Sequence, residues 1–225
     1  YEPRTLMTNT DGSEILSSGK LGTIDRINAY TGAIIKSYST GSKKLIVHTF
    51  LSPDNKKLIC GYNDGTTILW DISNLEKITP IEININKQRL TTATFNVAGD
   101  MLATVTQDSI INIWTGNDLK QPANAGTITV SGAVKFLLIS NDGKSLYYST
   151  ERGAINSLSI SDKKISNIFL SKTTPLCLSY SKQKNQVAAG FSDGKVRVFN
   201  LADNSFKLIN EHSTRVEQIM FNKTN

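Results

Sequence analysis

The chain has 225 residues with 25 Lys and Arg against 19 Asp and Glu, a formal charge of +6, 39% hydrophobic residues, 15 Gly and only 5 Pro. That balance excludes a disordered tail, a collagen-like repeat and a highly charged polyion, and leaves room for a folded core. No apolar run approaches the roughly 18 residues that span a bilayer, and Tyr1-Glu2-Pro3-Arg4 opens the chain without the apolar segment of a signal peptide. The Asn222 to Thr224 sequon says little about secretion without such a signal. Cys60 and Cys177 are far apart and read as separate buried thiols.

Along the chain one short pattern recurs: an apolar or β-forming residue, a run of turn-forming residues, and an apolar residue seven positions on. The copies are Thr8-Asn9-Thr10-Asp11-Gly12-Ser13-Glu14-Ile15, Leu51-Ser52-Pro53-Asp54-Asn55-Lys56-Lys57-Leu58 and Phe95-Asn96-Val97-Ala98-Gly99-Asp100-Met101-Leu102. Two more follow as Ile139-Ser140-Asn141-Asp142-Gly143-Lys144-Ser145-Leu146 and Tyr180-Ser181-Lys182-Gln183-Lys184-Asn185-Gln186-Val187, and a sixth opens at Phe221. The starts at 8, 51, 95, 139, 180 and 221 are 43, 44, 44, 41 and 41 residues apart, the length of a four-stranded propeller blade.

Fourteen residues into each copy stand Gly22, Gly65, Ser109, Gly153 and Gly194, the residue a tight hairpin between the second and third strands needs at positive φ. Nineteen residues in stand Ile27, Trp70, Trp114, Leu158 and Phe199, a large apolar core contact each time. Between these markers Thr67-Ile68-Leu69-Trp70 and Lys195-Val196-Arg197-Val198-Phe199 have the alternation and the β-branched and aromatic content of strands, and helical periodicity is absent.

On these residues the chain resembles the WD-repeat family. The signature dipeptide stands intact as Trp70-Asp71 and altered as Trp114-Thr115; the hairpin Asp matches Asp64, Asp108 and Asp193, with Leu21 and Arg152 in the other two copies; the family His matches only His212. The resemblance spans essentially all 225 residues. It implies an all-β propeller of four-stranded antiparallel blades, five of them visible, in a seven-bladed ring completed by sequence outside this chain. It also implies a hydrogen-bonded network of His, Asp, hydroxyl and Trp in each blade, weakened here wherever a member is replaced; the Asp partner expected for His212 falls beyond Asn225.

Catalysis finds little support. Gly190-Phe191-Ser192-Asp193-Gly194 matches a nucleophile elbow in letters, but the same register reads Gly61-Tyr62-Asn63-Asp64-Gly65 in the second copy, and no helical pattern follows. The scattered His48, His212, Cys60 and Cys177 do not make a metal site, and no cofactor motif is present. The expected function is a non-catalytic scaffold or sensor module of a larger cytoplasmic protein that takes no small-molecule substrate. It would bind a protein or peptide partner, acidic in character, on the loop face.

The loops entering each repeat supply Lys43, Lys44, Arg89 and Arg215, and the hairpins supply Tyr62, Gln107, Arg152 and Phe191, so that this rim would combine positive charge with two exposed aromatics. The competing expectation packs Tyr62 and Phe191 between blades. Two further alternatives are nucleic-acid association through the basic rim and service as the accessory propeller of a signalling NTPase or hydrolase.

Overall fold

The computed structural model describes residues 3–8, 11–19, 22–39, 44–181, 183–203, 205–209 and 212–221. Among the described residues five four-stranded antiparallel sheets follow one another along the chain. The first contains β1 (Pro3–Thr8), β2 (Glu14–Gly19), β3 (Thr23–Asn28) and β4 (Ile34–Ser39); the second β5 (Ile46–Leu51), β6 (Lys57–Tyr62), β7 (Thr67–Asp71) and β8 (Thr79–Ile83). The third contains β9 (Leu90–Phe95), β10 (Leu102–Thr106), β11 (Ile110–Thr115) and β12 (Ala123–Thr129). The fourth contains β13 (Val134–Ile139), β14 (Ser145–Thr150), β15 (Ala154–Ser159) and β16 (Ile165–Leu170); the fifth β17 (Pro175–Ser181), β18 (Gln186–Phe191), β19 (Val196–Asn200) and β20 (Phe206–Ile209).

Within every sheet the strands lie in chain order, and the first strands β1, β5, β9, β13 and β17 approach one another from blade to blade. The fourth strands form the largely exposed circumference. This is the radial arrangement of a propeller, which hides the long sheet faces and leaves only short outer edges. The recurring sequence motif marks the end of each innermost strand and the turn after it. In two copies that turn closes identically: Ser52 donates to Asp54 (2.6 Å) and Ser140 to Asp142 (2.6 Å), while each serine hydroxyl accepts the backbone N–H of Lys57 or Ser145 (2.9 Å both). Asn96 does the same work in the third copy, its carbonyl oxygen accepting from Asp100 and Met101. The side chains mimic backbone turns, which is why short polar residues recur here.

The core is divided among the blade junctions. Leu16, Ile24 and Tyr38 meet Leu58, Cys60 and Trp70; Ile59, Leu69 and Ile83 meet Ala93, Phe95 and Trp114; Val105, Ile111 and Ile113 meet Leu137, Leu146 and Leu158; and Ile155 meets Ala189, Phe191 and Phe199. Beyond the fifth sheet Val216 closes on Cys177 and Val196. A Cβ added to Gly190 would stand 2.5 Å from Val216, as one added to Gly61 would stand 2.7 Å from Leu90 of β9. Residues 212–221 therefore sit against the fifth blade as an innermost strand sits against its predecessor. The position nineteen residues into each copy is buried in four of them, Ile27 being only half-buried. Charge also crosses a junction, where Lys57, its side chain 5% exposed, pairs at 2.8 Å with Asp118 on a 3-10 turn of the third blade.

The two tryptophans report a difference between blades. Trp114 Nε1 donates to Thr104 Oγ1 at 2.9 Å, completing part of the expected network, and Thr106 Oγ1 donates to Asp108 at 2.5 Å. Trp70 Nε1 is buried without a well-formed hydrogen bond, since the residue at the place of Thr104 is Cys60, whose sulfur is at best a weak acceptor. Burial drives the Cys60 thiol far above its ordinary pKa, so it remains a protonated, weak acceptor. Cys60→Thr is therefore expected to stabilise the protein by about 1 kcal/mol, the net worth of one hydrogen bond. Urea unfolding checks this, and in a Trp70→Phe background the gain should vanish.

Candidate partner-binding face

The hairpins between second and third strands and the loops entering each blade share one face. At the hairpin position identified by spacing, Gly22, Gly65, Ser109, Gly153 and Gly194 have φ of 81°, 86°, 62°, 87° and 79°. In four of the five, a Cβ would run into the backbone carbonyl of the loop entering the next blade: that of Lys44, Lys87, Ser171 or His212. The loops are thus seated on the hairpins, backbone against backbone. Blade 3 departs from this arrangement, since Ser109 carries a side chain where the others have none.

A second feature recurs with the same period. The register of each innermost strand slips by one residue, between Pro3 and Thr5, Ile46 and His48, Leu90 and Thr92, Val134 and Phe136, and Pro175 and Cys177. The skipped residues, Arg4, Val47, Thr91, Lys135 and Leu176, all lie four positions before the motif start. A bulge there, next to the first residue of the innermost strand, re-aims a side chain.

The expected rim is changed in its aromatics. Tyr62 is 1% exposed and Phe191 0%, so the reading of both as exposed contact residues is corrected. Leu58, Cys60 and Tyr62 alternate onto the face of β6 that packs on the first blade, and Ala189 and Phe191 lie in the core shared with the fourth. Burial also pushes the Tyr62 phenol well above its ordinary pKa.

Several expected cations are engaged within the chain. Lys44 Nζ pairs with Asp64 and donates to Thr66 Oγ1, both at 2.7 Å. Although burial pushes the Asp64 carboxyl up, the hydrogen bonds from Lys44 and Thr66 outweigh it and hold the group below the usual carboxylate range. Arg89 Nε donates to the Asn63 carbonyl at 3.0 Å, tying one blade's entering loop to the previous blade's hairpin, and Arg215 pairs with Glu217 at 2.6 Å. Gln107 and Arg152 are exposed on their hairpins, and Lys43 lies outside the described residues. His212, the family histidine, has an exposed side chain and uses its carbonyl against Gly194.

Among the described residues, depressions on this side of the molecule include three of note. One of about 340 Å³ is lined by Lys44, Asp64, Glu82 and Lys87, with charges of both signs. One of about 290 Å³ lies under Arg152 beside the exposed Ile165 and Leu170. The third, about 250 Å³, is bounded by His48, Thr91, Thr106, Gln107, Ser109, Ala133, Val134 and Lys135, where the blade 3 hairpin faces the start of β13. Spacing alone could have found Lys135, since it repeats the position of Thr91, but the bulge that the two share leaves no mark in composition.

Gly190 to Gly194 closes a β-hairpin in which Gly194 donates to the Phe191 carbonyl and Ser192 to that of Thr174, not the strand-to-helix turn a nucleophile elbow requires. Among the described residues no group of three His, Cys, Asp or Glu side chains is placed to hold a metal, and no helix is long and apolar enough to cross a membrane.

The family model described as "WD domain, G-beta repeat" matches residues 35–71, which run from β4 through β7 and end on Trp70-Asp71. The chain is 26% identical over 136 residues to the nuclear distribution protein PAC1 of Debaryomyces hansenii, and 26% identical over 134 residues to that of Scheffersomyces stipitis. Each match covers 53% of this chain and 26% of the relative, so the chain spans about a quarter of the relatives it matches. The β-propeller domain of Cps50 (Swd1) from Myceliophteria thermophila superposes with a TM-score of 0.65 over 92% of this chain and 72% of that one, at 12% identity, a likeness of fold.

Proposed function

Since the chain carries a WD40 repeat and folds as a WD-repeat β-propeller, a fold that generally serves protein interaction, we propose that it is a non-catalytic interaction platform whose partner is a protein segment bound on the loop face. The observation that carries this reading is the seating of the entering loops on the hairpin glycines. It makes a rigid surface out of segments that are elsewhere the mobile parts of a protein, and pre-organised loops bind with less entropic loss. The partner is read as acidic because Arg152 and Lys172 are exposed on this face. The pairing of Lys44 and Arg215 with carboxylates favours a protein over a phosphate backbone, which needs many uncommitted cations. Support for a cytoplasmic site of action comes from Cys60 and Cys177, both buried free thiols.

The test places a photo-crosslinking residue at Gln107 or Arg152, and for comparison at Asn55 or Lys163 on the turns at the other end of the strands, in the intact protein in its own cells. The same protein partner should be trapped from both hairpin positions and from neither comparison position. Trapping from the comparison positions alone would move the site to the opposite face, and recovery of nucleic acid released by moderate salt would replace the reading.

A further inference from the structure

We propose that the cavity between the blade 3 hairpin and the start of β13 is a carboxylate pocket that receives a single Asp or Glu side chain of the partner, with Lys135 as its cation and Gln107 and Ser109 as neutral donors. This rests on the platform reading and deepens it by naming the chemistry and the place.

Three independent features meet at this point. The first is the departure of Ser109 from glycine. In four blades the entering loop closes so tightly on the hairpin that no Cβ fits; at blade 3 a Cβ is present, the residue still holds φ 62°, and Val130 N–H still bonds the Ser109 carbonyl at 3.0 Å. The loop therefore remains anchored over a residue that carries a side chain, and a cavity of about 250 Å³ lies between Ser109 and Ala133 to Lys135.

The second feature is the bulge. It places Lys135, an exposed residue, at the wall of this opening; of the four equivalent positions, Val47, Thr91 and Leu176 are uncharged and Arg4 of the first sheet is the other cation. The third is the composition of the lining. No Asp or Glu is part of it, and no described carboxylate pairs with Lys135, in contrast to the committed Lys44 and Arg215. Asp108, on the same hairpin, does not line the cavity and is occupied by the Thr106 hydroxyl at 2.5 Å. The floor is supplied by the buried Thr106 and Val134, with His48 at the side.

One full positive charge beside neutral amide and hydroxyl donors matches a monoanionic carboxylate. A phosphate dianion is usually met by an arginine fork or several cations. Ala133 and Val134 offer apolar surface to the methylene groups of the incoming side chain.

The test is an NMR titration of the intact protein with N-acetyl-glutamate N-methylamide, and with the glutamine analogue as its neutral isostere. The glutamate compound should shift the amides of Thr91, Gln107, Ser109 and Lys135, and the glutamine compound should not. Lys135→Glu should weaken the effect at least about tenfold, as like charge replaces an ion pair, while Lys163→Glu on the opposite face should leave it unchanged. Because Lys135 is exposed, its variant should unfold at the wild-type urea concentration. Equal shifts from both compounds, no shifts in the tens of millimolar, or shifts insensitive to Lys135→Glu would each overturn the pocket. Such a failure is distinguishable from failure of the platform. If Lys135→Glu protein still crosslinks its partner from Arg152, the platform stands without the pocket; if the pocket binds glutamate but no hairpin position traps a protein, the reverse holds.

Discussion

Gly65→Ala is expected to cost the fold about 3 kcal/mol, from positive-φ strain of about 1 kcal/mol and an overpacking penalty of about 2 kcal/mol. The strain alone is isolated at Gly12, where φ is 72° and an added Cβ meets nothing within 4 Å. At Gly65, φ is 86° and the new methyl would press on the Lys87 carbonyl oxygen and stand 2.5 Å from its carbon. That neighbour cannot yield cheaply. Lys87 is itself in the left-handed region at φ 56°, Gln88 is tied to the Ile85 carbonyl, and Arg89 holds the Asn63 carbonyl. Urea unfolding of the two alanine variants side by side separates the contributions. A loss near 1 kcal/mol at Gly12 and about three times that at Gly65 is the expected pattern. Equal losses would mean that the entering loop moves aside and that conformation alone selects the glycine, which would also remove the rigid loop face on which the proposed function depends.

The parts of this fold visible from sequence are those dictated by residue type at a fixed spacing. A tight hairpin needs positive φ, so Gly22, Gly65, Gly153 and Gly194 betray it, and even Ser109 holds the same backbone conformation because it closes the same turn, its N–H donating to the Thr106 carbonyl as that of Gly65 donates to Tyr62. A blade junction needs bulk, so Trp70, Trp114, Leu158 and Phe199 are all buried. The bulge in each innermost strand escapes such reading, since it is a matter of register and is filled by residues as different as Val47 and Lys135.

The candidate rim is less legible because proximity to a loop in sequence does not fix exposure. Tyr62 adjoins the hairpin in sequence, yet it stands two and four residues after Cys60 and Leu58, and strand parity puts all three on one buried face. Pairing of cations is harder still to anticipate. Lys44 and Asp64 are far apart in the chain, and they meet only because each blade's entering loop turns back over its own hairpin.

Phe191→Ala is expected to destabilise the protein by about 4 kcal/mol, in the range for deleting a buried phenyl ring, and to act on partner binding only through that loss. The ring is fully buried between the fourth and fifth blades, edge-on to Phe169 with centroids 6.2 Å apart. The Arg197 guanidinium lies 4.3 Å from its centroid and also reaches Asp193 at 3.5 Å, with its Nη1 buried and without a hydrogen-bond partner. Removing the ring leaves both a cavity and a cation deprived of the π-face that offsets its desolvation, a contribution of about 1 kcal/mol or more at a buried site. Leu170→Ala is the comparison, since that side chain is 68% exposed and should change stability by no more than about 0.5 kcal/mol. Urea unfolding measures both, and crosslinking from Arg152 at a temperature where the variant remains folded measures the partner. Retained crosslinking with a strongly lowered unfolding midpoint makes Phe191 a wedge between blades. Lost crosslinking with an unchanged midpoint would restore it as a contact residue and require the hairpin to open when the partner arrives.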